Sequence, residues 1–187
     1  MTSGRSVGEP LTWNVAGLLS DEPGATRDYE IAGVTIDLGD ELRQADPIEG
    51  HVRLARTNRG ILVRADLATS LQAACSRCLR DIEVPIDIAI EEEALPSVDL
   101  QTGRPLDIDP RGDDEPLRLT DHHELDLETP VREAILLAEP IAPLCRQDCP
   151  GLCPTCGERL DEGTHDHPTD DIDPRLEALR SFKADDS

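Results

Sequence analysis

Eight side chains carry the recognisable chemistry of this sequence, and all eight have types that bind metal. Cys75-Ser76-Arg77-Cys78 is followed, much later, by Cys145-Arg146-Gln147-Asp148-Cys149, by Cys153-Pro154-Thr155-Cys156-Gly157 and by His165-Asp166-His167. A thiolate pair with two residues between its members can turn both sulfurs toward one ion, but two sulfurs do not complete a tetrahedral structural zinc site. The simplest division gives two sites of four. Cys75 and Cys78 join Cys145 and Cys149, while Cys153 and Cys156 close a small ribbon with His165 and His167. Pro154 pre-sets a turn there, and Gly157 permits a positive φ that leaves backbone amides free to approach a sulfur. A second division places Cys145, Cys149, Cys153 and Cys156 around one ion and leaves Cys75 and Cys78 free. Residues two apart converge only in a turn, so a neighbouring acid is the substitute donor for either histidine, and a chain without metal is the third possibility.

Two catalytic readings compete with structural zinc, numbering one or two ions. A dithiol oxidoreductase needs Cys-x-x-Cys at the start of a helix, where the helix terminus lowers the thiol pKa; Cys75 lies between two strand patterns instead. Catalytic zinc needs an open coordination position and a distinct acid or base, and no carboxylate stands out among 40 acidic residues. The expectation is a protein that is not an enzyme and has no small-molecule substrate.

The elements that must position these residues are legible in the hydrophobic spacing. Leu11 to Ile31 reads as a short apolar element, a turn at Asp21-Glu22-Pro23-Gly24 and a strand from about Arg27. Gly39 to Asp46 reads as polar connection. Ile48, Val52 and Leu54 share one strand face, Thr57-Asn58-Arg59-Gly60 makes a hairpin turn, and Ile61, Val63, Ala65 and Leu67 continue on the next strand. Ile82, Val84, Ile86, Ile88 and Ile90 alternate with mostly polar residues, and Pro85 points to a sheet edge or bulge. The spacing predicts a helix capped by Thr129, with Pro130 first, Val131, Ile135 and Ala138 inward, core-facing Leu136 and Leu137, and an end at Pro140. A shorter helix is predicted from Asp173 and Pro174 through Leu176 and Leu179. Residues 96–120, rich in proline and acid, read as a mobile acidic loop. The fold class is α+β: an antiparallel sheet or partly open β-barrel with a few helices. Residues 1–144 form the core and 145–187 a small zinc-ribbon-like appendage.

Charge bounds the partners. The chain carries a formal net charge of −22, which repels a phosphate backbone at long range and favours basic partners. With 2% aromatic residues, a base-stacking surface of the kind used by RNA-recognition modules is excluded. The charge is unevenly spread. His51 to Arg80 holds Arg53, Arg56, Arg59, Arg64, Arg77 and Arg80 against Asp66 alone, whereas Asp81 to Pro140 is strongly acidic. That basic island either contacts RNA or a partner, or pairs with the protein's own acids. His51 is placed on an exposed strand face, and His122 and His123 in solvent. The sequence has no apolar run of the ~18 residues a membrane span needs, and Met1 to Pro10 lacks the apolar stretch of a signal peptide. The expected location is the cytoplasm, where reducing conditions disfavour disulfides.

Taken in order, Cys75-Ser76-Arg77-Cys78-Leu79, the helix leading into Glu139-Pro140-Ile141-Ala142-Pro143-Leu144-Cys145, the run from Cys149 to Gly157, and Asp173-Pro174-Arg175-Leu176 resemble the YceD family of large ribosomal RNA subunit accumulation proteins. Asn14-Val15-Ala16-Gly17-Leu18-Leu19 with Gly24 and Arg27 is similar to the family's opening. The resemblance implies a non-enzymatic role in accumulation of 23S ribosomal RNA and in large-subunit biogenesis. It implies as partners pre-large-subunit particles, 23S rRNA or basic ribosomal proteins. A binder or chaperone for one basic ribosomal protein is the rival reading. Where many cysteine-rich relatives carry Cys-x-Cys, this chain has His165-Asp166-His167, an exchange of one pair of zinc-binding side chains for another.

Overall fold

A computed structural model describes residues 11–40, 42–99, 102–106, 116–167 and 175–176. The chain runs β1 (Thr12–Asn14), α1 (Ala16–Ser20), β2 (Thr26–Val34), β3 (Arg43–Arg56), β4 (Ile61–Ala74), β5 (Asp81–Ala94), β6 (Glu124–Asp126) and α2 (Glu128–Ala138). Strands β2-β3-β4-β5 form one antiparallel sheet in sequence order, and β1 pairs with β6 in a second, two-stranded one. The larger sheet stays open, with β2 and β5 at its edges. Pro85 accordingly sits on an edge strand, where its missing N–H breaks no second ladder.

The period-two pattern fixes which face is inside. Ile48, Val52 and Leu54 of β3, Ile61, Val63, Ala65, Leu67 and Leu71 of β4, and Ile86, Ile88 and Ile90 of β5 are buried in one core. Val131 and Ile135 of α2, Leu18 and Leu19 of α1, and Leu119, Leu125 and Leu127 cover that face. Trp13 stacks near Tyr29, ring centroids 5.4 Å apart, at the margin of this core. The opposite sheet face is polar and carries cross-strand ion pairs.

The β4–β5 ladder is unbroken from Ile61↔Ala94 to Ala74↔Asp81. Its closed end therefore delivers Cys75 and Cys78 at a fixed place beside the end of α2.

Several expectations need correction. β3 begins at Arg43, inside the stretch read as polar connection, because register shifts around Asp46 let Arg43 and Gln44 pair with β4 despite Pro47. Helix α2 begins at Glu128 rather than after Thr129: Leu127 takes the N-cap position without a side-chain capping bond, and the Asp126 carboxylate, just outside it, accepts the Glu128 N–H at 2.9 Å. Leu136 and Leu137 are exposed, not core-facing, Leu137 at 87%. At ~100° per residue, Val131, Ile135 and Ala138 take the inner stripe and these leucines fall outside it. The acidic loop is anchored at both ends. Leu95 bridges Arg118, Val98 bridges Pro105, and Leu119 is buried; residues 107–115 lie outside the described residues. So does the predicted C-terminal helix, apart from Arg175 and Leu176.

Candidate metal centres

The four ligand atoms of Cys75, Cys78, Cys145 and Cys149 lie within 4.8 Å of one another, as do those of Cys153, Cys156, His165 and His167. Two separate sets of four thus form, along the first of the divisions drawn from spacing. In the first set Cys75 and Cys78 come from the turn between β4 and β5, and Cys145 and Cys149 from the chain leaving α2. Cys75, Cys78 and Cys149 are buried, with Ile82 and Leu152 packed around them. The second set is local, built from residues 153–167, and Cys156 is exposed.

Each Cys-x-x-Cys uses the same turn. In the first, the Cys75 N–H donates to the Arg80 carbonyl at 2.8 Å and the Leu79 N–H to the Cys75 carbonyl at 2.9 Å. In the second, the Cys153 N–H donates to Glu158 at 2.7 Å and the Gly157 N–H to Cys153 at 2.9 Å. The residue after the second cysteine is left-handed in both, Leu79 at φ 55° and Gly157 at φ 75°. This turn aims backbone amides at the first sulfur. The N–H of Cys145, from the chain leaving α2, and then that of Cys78 within the turn hold the Cys75 thiol down at about 6, against the upward push of burial. Those of Cys156 and Thr155 do the same for Cys153, also to about 6. Burial pushes Cys145 up to about 12, helped by the neighbouring sulfurs, and raises Cys149 as well. Four thiolates cannot all ionise together in a buried site unless a cation compensates them.

The distances fit such a cation. Sulfurs bound tetrahedrally at ~2.3 Å from zinc lie ~3.8 Å apart; Cys75 and Cys149 are 3.9 Å apart, Cys78 and Cys145 3.7 Å. A disulfide would need ~2.05 Å. In the second set Cys156 Sγ is 3.5 Å from His165 Nδ1, against ~3.6 Å for a sulfur and a nitrogen on one tetrahedral zinc. His165 Nε2 donates to the Arg159 carbonyl at 2.9 Å, which leaves Nδ1 with its lone pair toward Cys156. His167 Nε2 is buried with no hydrogen-bond partner, an orphan that a metal ion satisfies.

Supporting contacts join the two sets to each other and to the sheet. The Ser76 N–H donates to the Pro143 carbonyl at 2.8 Å, and Arg77 Nη1 to the Cys149 carbonyl at 3.0 Å. Gly151, at φ 84°, passes so close that a Cβ there would lie 3.3 Å from the Arg77 carbonyl. Arg159 Nε donates to the Cys78 carbonyl at 3.0 Å, and Arg80 pairs with Asp161 and Glu162. Arg159 went unrecognised in the sequence, where nothing distinguishes it from other arginines near acids.

All six arginines of the basic island have partners within the chain. Arg53 pairs with Asp28 at 2.6 Å, Arg64 with Glu91 at 3.0 Å and Arg59 with Glu93. Arg56 donates to the carbonyls of Leu19, Thr57 and Gly60; Arg77 and Arg80 brace the cysteine turn as described. His51 lies on the outer sheet face between Asp28 and Glu30. His122 is exposed beside Asp121, whereas His123, read as solvated, is left-handed at φ 58° with Nδ1 buried.

An open antiparallel sheet covered by two helices, with a Cys-x-x-Cys turn docked on a cysteine-rich tail, defines a small α+β protein with two metal-type donor sets. Residues 63–183 match the family described as large ribosomal RNA subunit accumulation protein YceD. The chain belongs to this family, whose members are non-catalytic accessory factors associated with ribosome biogenesis and typically cytoplasmic. It is 33% identical over 184 residues to uncharacterised proteins of Mycobacterium tuberculosis and Mycobacterium bovis, covering 95% of this chain and 84% of theirs. An uncharacterised protein of Mycobacterium leprae is 27% identical over 143 residues, 75% of this chain and 61% of its own. No solved structure matches.

Proposed function

We propose that this protein is a cytoplasmic, non-enzymatic factor supporting accumulation of 23S rRNA and biogenesis of the large ribosomal subunit, with two structural zinc ions fastening its C-terminal segment. The observation that carries the biogenesis reading is the family match over residues 63–183, a span that includes both donor sets. Zinc is preferred to other metals because thiolate and imidazole donors in closed tetrahedral sets suit it best. Cys75, Cys78, Cys145 and Cys149 hold one ion between core and appendage, and Cys153, Cys156, His165 and His167 hold the other within residues 145–187. Neither set keeps a position for substrate, in keeping with a structural role.

The protein acts on pre-large-subunit particles, where it meets 23S rRNA or basic ribosomal proteins. Direct phosphate contact by Arg53, Arg59 or Arg64 requires exchange with Asp28, Glu93 or Glu91, so recognition through a basic ribosomal protein has the specific support of those internal pairings. A strain lacking the gene is expected to show fewer large-subunit particles on sucrose gradients and a reduced ratio of 23S to 16S rRNA; unchanged profiles would remove the biogenesis reading. Nuclease-sensitive recovery of the tagged protein with particles supports action on the assembling subunit, and recovery only with a free ribosomal protein supports the chaperone form.

A further inference from the structure

We propose that the groove between the closed end of the β4–β5 hairpin and the segment leaving α2 docks a basic, amphipathic segment of a partner protein. The groove has a volume of about 830 Å³. Leu42, Ile82 and Ile141 supply apolar lining, and Asp81, Glu83 and Glu139 supply acids.

Two independent observations define what fits. The first is apolar exposure on the α2 side: Ile141, in the segment leaving the helix, is fully open to solvent. Isolated exposed aliphatics are ordinary. Ile141 lines a concavity that also presents Leu42 and Ile82, so an apolar side chain seated there removes surface of both partners from water. The second is the pattern of charge pairing. Asp28, Glu91, Glu93, Asp161 and Glu162 each hold an arginine. Asp81, Glu83 and Glu139 make no ion pair among the described residues, and no lysine or arginine lines the groove. Other sheet acids such as Glu49 and Asp87 are also without an ion pair among the described residues. Here, however, three such carboxylates surround a concavity that presents Leu42, Ile82 and Ile141, where a cation beside an apolar anchor is attracted.

RNA is the wrong occupant. Three carboxylates repel phosphate, and the groove has no aromatic ring on which a base could stack. A polypeptide with lysines or arginines beside apolar anchors fits both features. The walls are preorganised for it: the Ser76 N–H donates across to the Pro143 carbonyl at 2.8 Å, and the first donor set takes two cysteines from each wall. Little ordering is left for the ligand to impose. That the partner is a ribosomal protein rests on the proposed function; the surface and its chemistry do not.

The test is fluorescence anisotropy of the full-length protein, zinc-loaded, with a labelled peptide carrying lysine and leucine at helical spacing. Ile141→Gln leaves net charge unchanged and is expected to weaken binding about tenfold, the range of an anchor residue. Asp81→Asn, Glu83→Gln and Glu139→Gln together should weaken it about tenfold, whereas Glu22→Gln, Asp40→Asn and Glu49→Gln, which remove equal charge elsewhere, should change it less than about twofold. Circular dichroism establishes that each variant folds. Unaltered binding by Ile141→Gln, or equal losses in the two triple variants, overturns the proposal. So does competition for the groove by an rRNA fragment, or a dimer that Ile141→Gln dissolves. Peptide binding seen only after deletion of residues 168–187 assigns the groove to the protein's own tail and overturns it as well. Complementation separates the two readings: rRNA loss in the null strain with full rescue by Ile141→Gln retires the groove alone. Normal 23S rRNA in the null strain retires the biogenesis reading while peptide binding stands.

Discussion

Replacing Cys149 by serine removes one donor from the buried four-sulfur set and should take the zinc content from two ions per chain to one. The sulfur spacings of 3.7 and 3.9 Å leave room for one tetrahedral ion among Cys75, Cys78, Cys145 and Cys149. That ion would clamp residues 67 and 74 positions apart in sequence. Links across such long loops remove more freedom from the unfolded chain than the local contacts of residues 153–167. An ion present at ~1,000 times its Kd stabilises by about 4 kcal/mol, and a chain of this size changes Tm by about 2–4 °C per kcal/mol. Loss of the first site should therefore lower Tm by about 8–16 °C. Metal analysis after gel filtration gives the stoichiometry, and thermal unfolding followed by circular dichroism gives Tm. Two ions retained by Cys149→Ser would refute the assignment. One ion in the wild type, lost equally in Cys149→Ser and Cys156→Ser but kept in Cys75→Ser, would replace it with a single four-thiolate cluster.

Other substitutions test the scaffold. At Gly50→Ala, a Cβ would lie 2.2 Å from the Asp66 carbonyl and 2.8 Å from the Leu67 Cα at φ 147°; backbone cannot yield, so urea unfolding should show a loss of about 3 kcal/mol or more. Leu79→Gly relieves a left-handed leucine that is 61% exposed. Relief of about 1–2 kcal/mol, less glycine's entropic cost of about 0.5–1, predicts a small rise in Tm. Arg59 and then Thr57 hold Glu93 below the ordinary glutamate range. A depressed folded-state value stabilises above that range, and the benefit is lost as pH falls through it. The stability gap between wild type and Glu93→Gln at pH 7 should thus narrow below pH ~4 in denaturant titrations.

The sheet was legible because alternation over Ile61 to Leu67 and Ile82 to Ile90 admits one inward face, and the ladder keeps that register without a break. The donor division was legible for a related reason: a Cys-x-x-Cys between two strands must close a hairpin, and two sulfurs need two more. What failed depended on local competition. Asp126 reaches the first helical amide before Thr129 can, and register shifts around Asp46 extend β3 through residues whose polarity reads as loop. The fate of the arginines was open in the sequence because strand register decides it. Arg53 stands opposite Asp28, and Arg64 opposite Glu91, so cross-strand pairing consumes charges that spacing alone shows as an island.

One residue connects the two donor sets. The Arg159 carbonyl accepts from His165 Nε2 at 2.9 Å, fixing the ring tautomer in the second set, while its guanidinium donates to the Cys78 carbonyl at 3.0 Å in the first. Outer contacts of this kind typically change metal affinity about 10- to 100-fold. Arg159→Ala keeps the carbonyl and removes the guanidinium, so the direct loss should fall on the first set. A loosened Arg159 backbone then transmits part of the loss to His165. Zinc release to a chromogenic chelator should accordingly speed up for both ions, and more for the ion missing from Cys149→Ser. Acceleration confined to the second ion would show that the guanidinium contact with Cys78 does not support the first. Equal acceleration of both ions by Arg146→Ala, whose side chain pairs with Asp148 and Asp161 rather than with a ligand residue, would reduce the effect to general loss of positive charge.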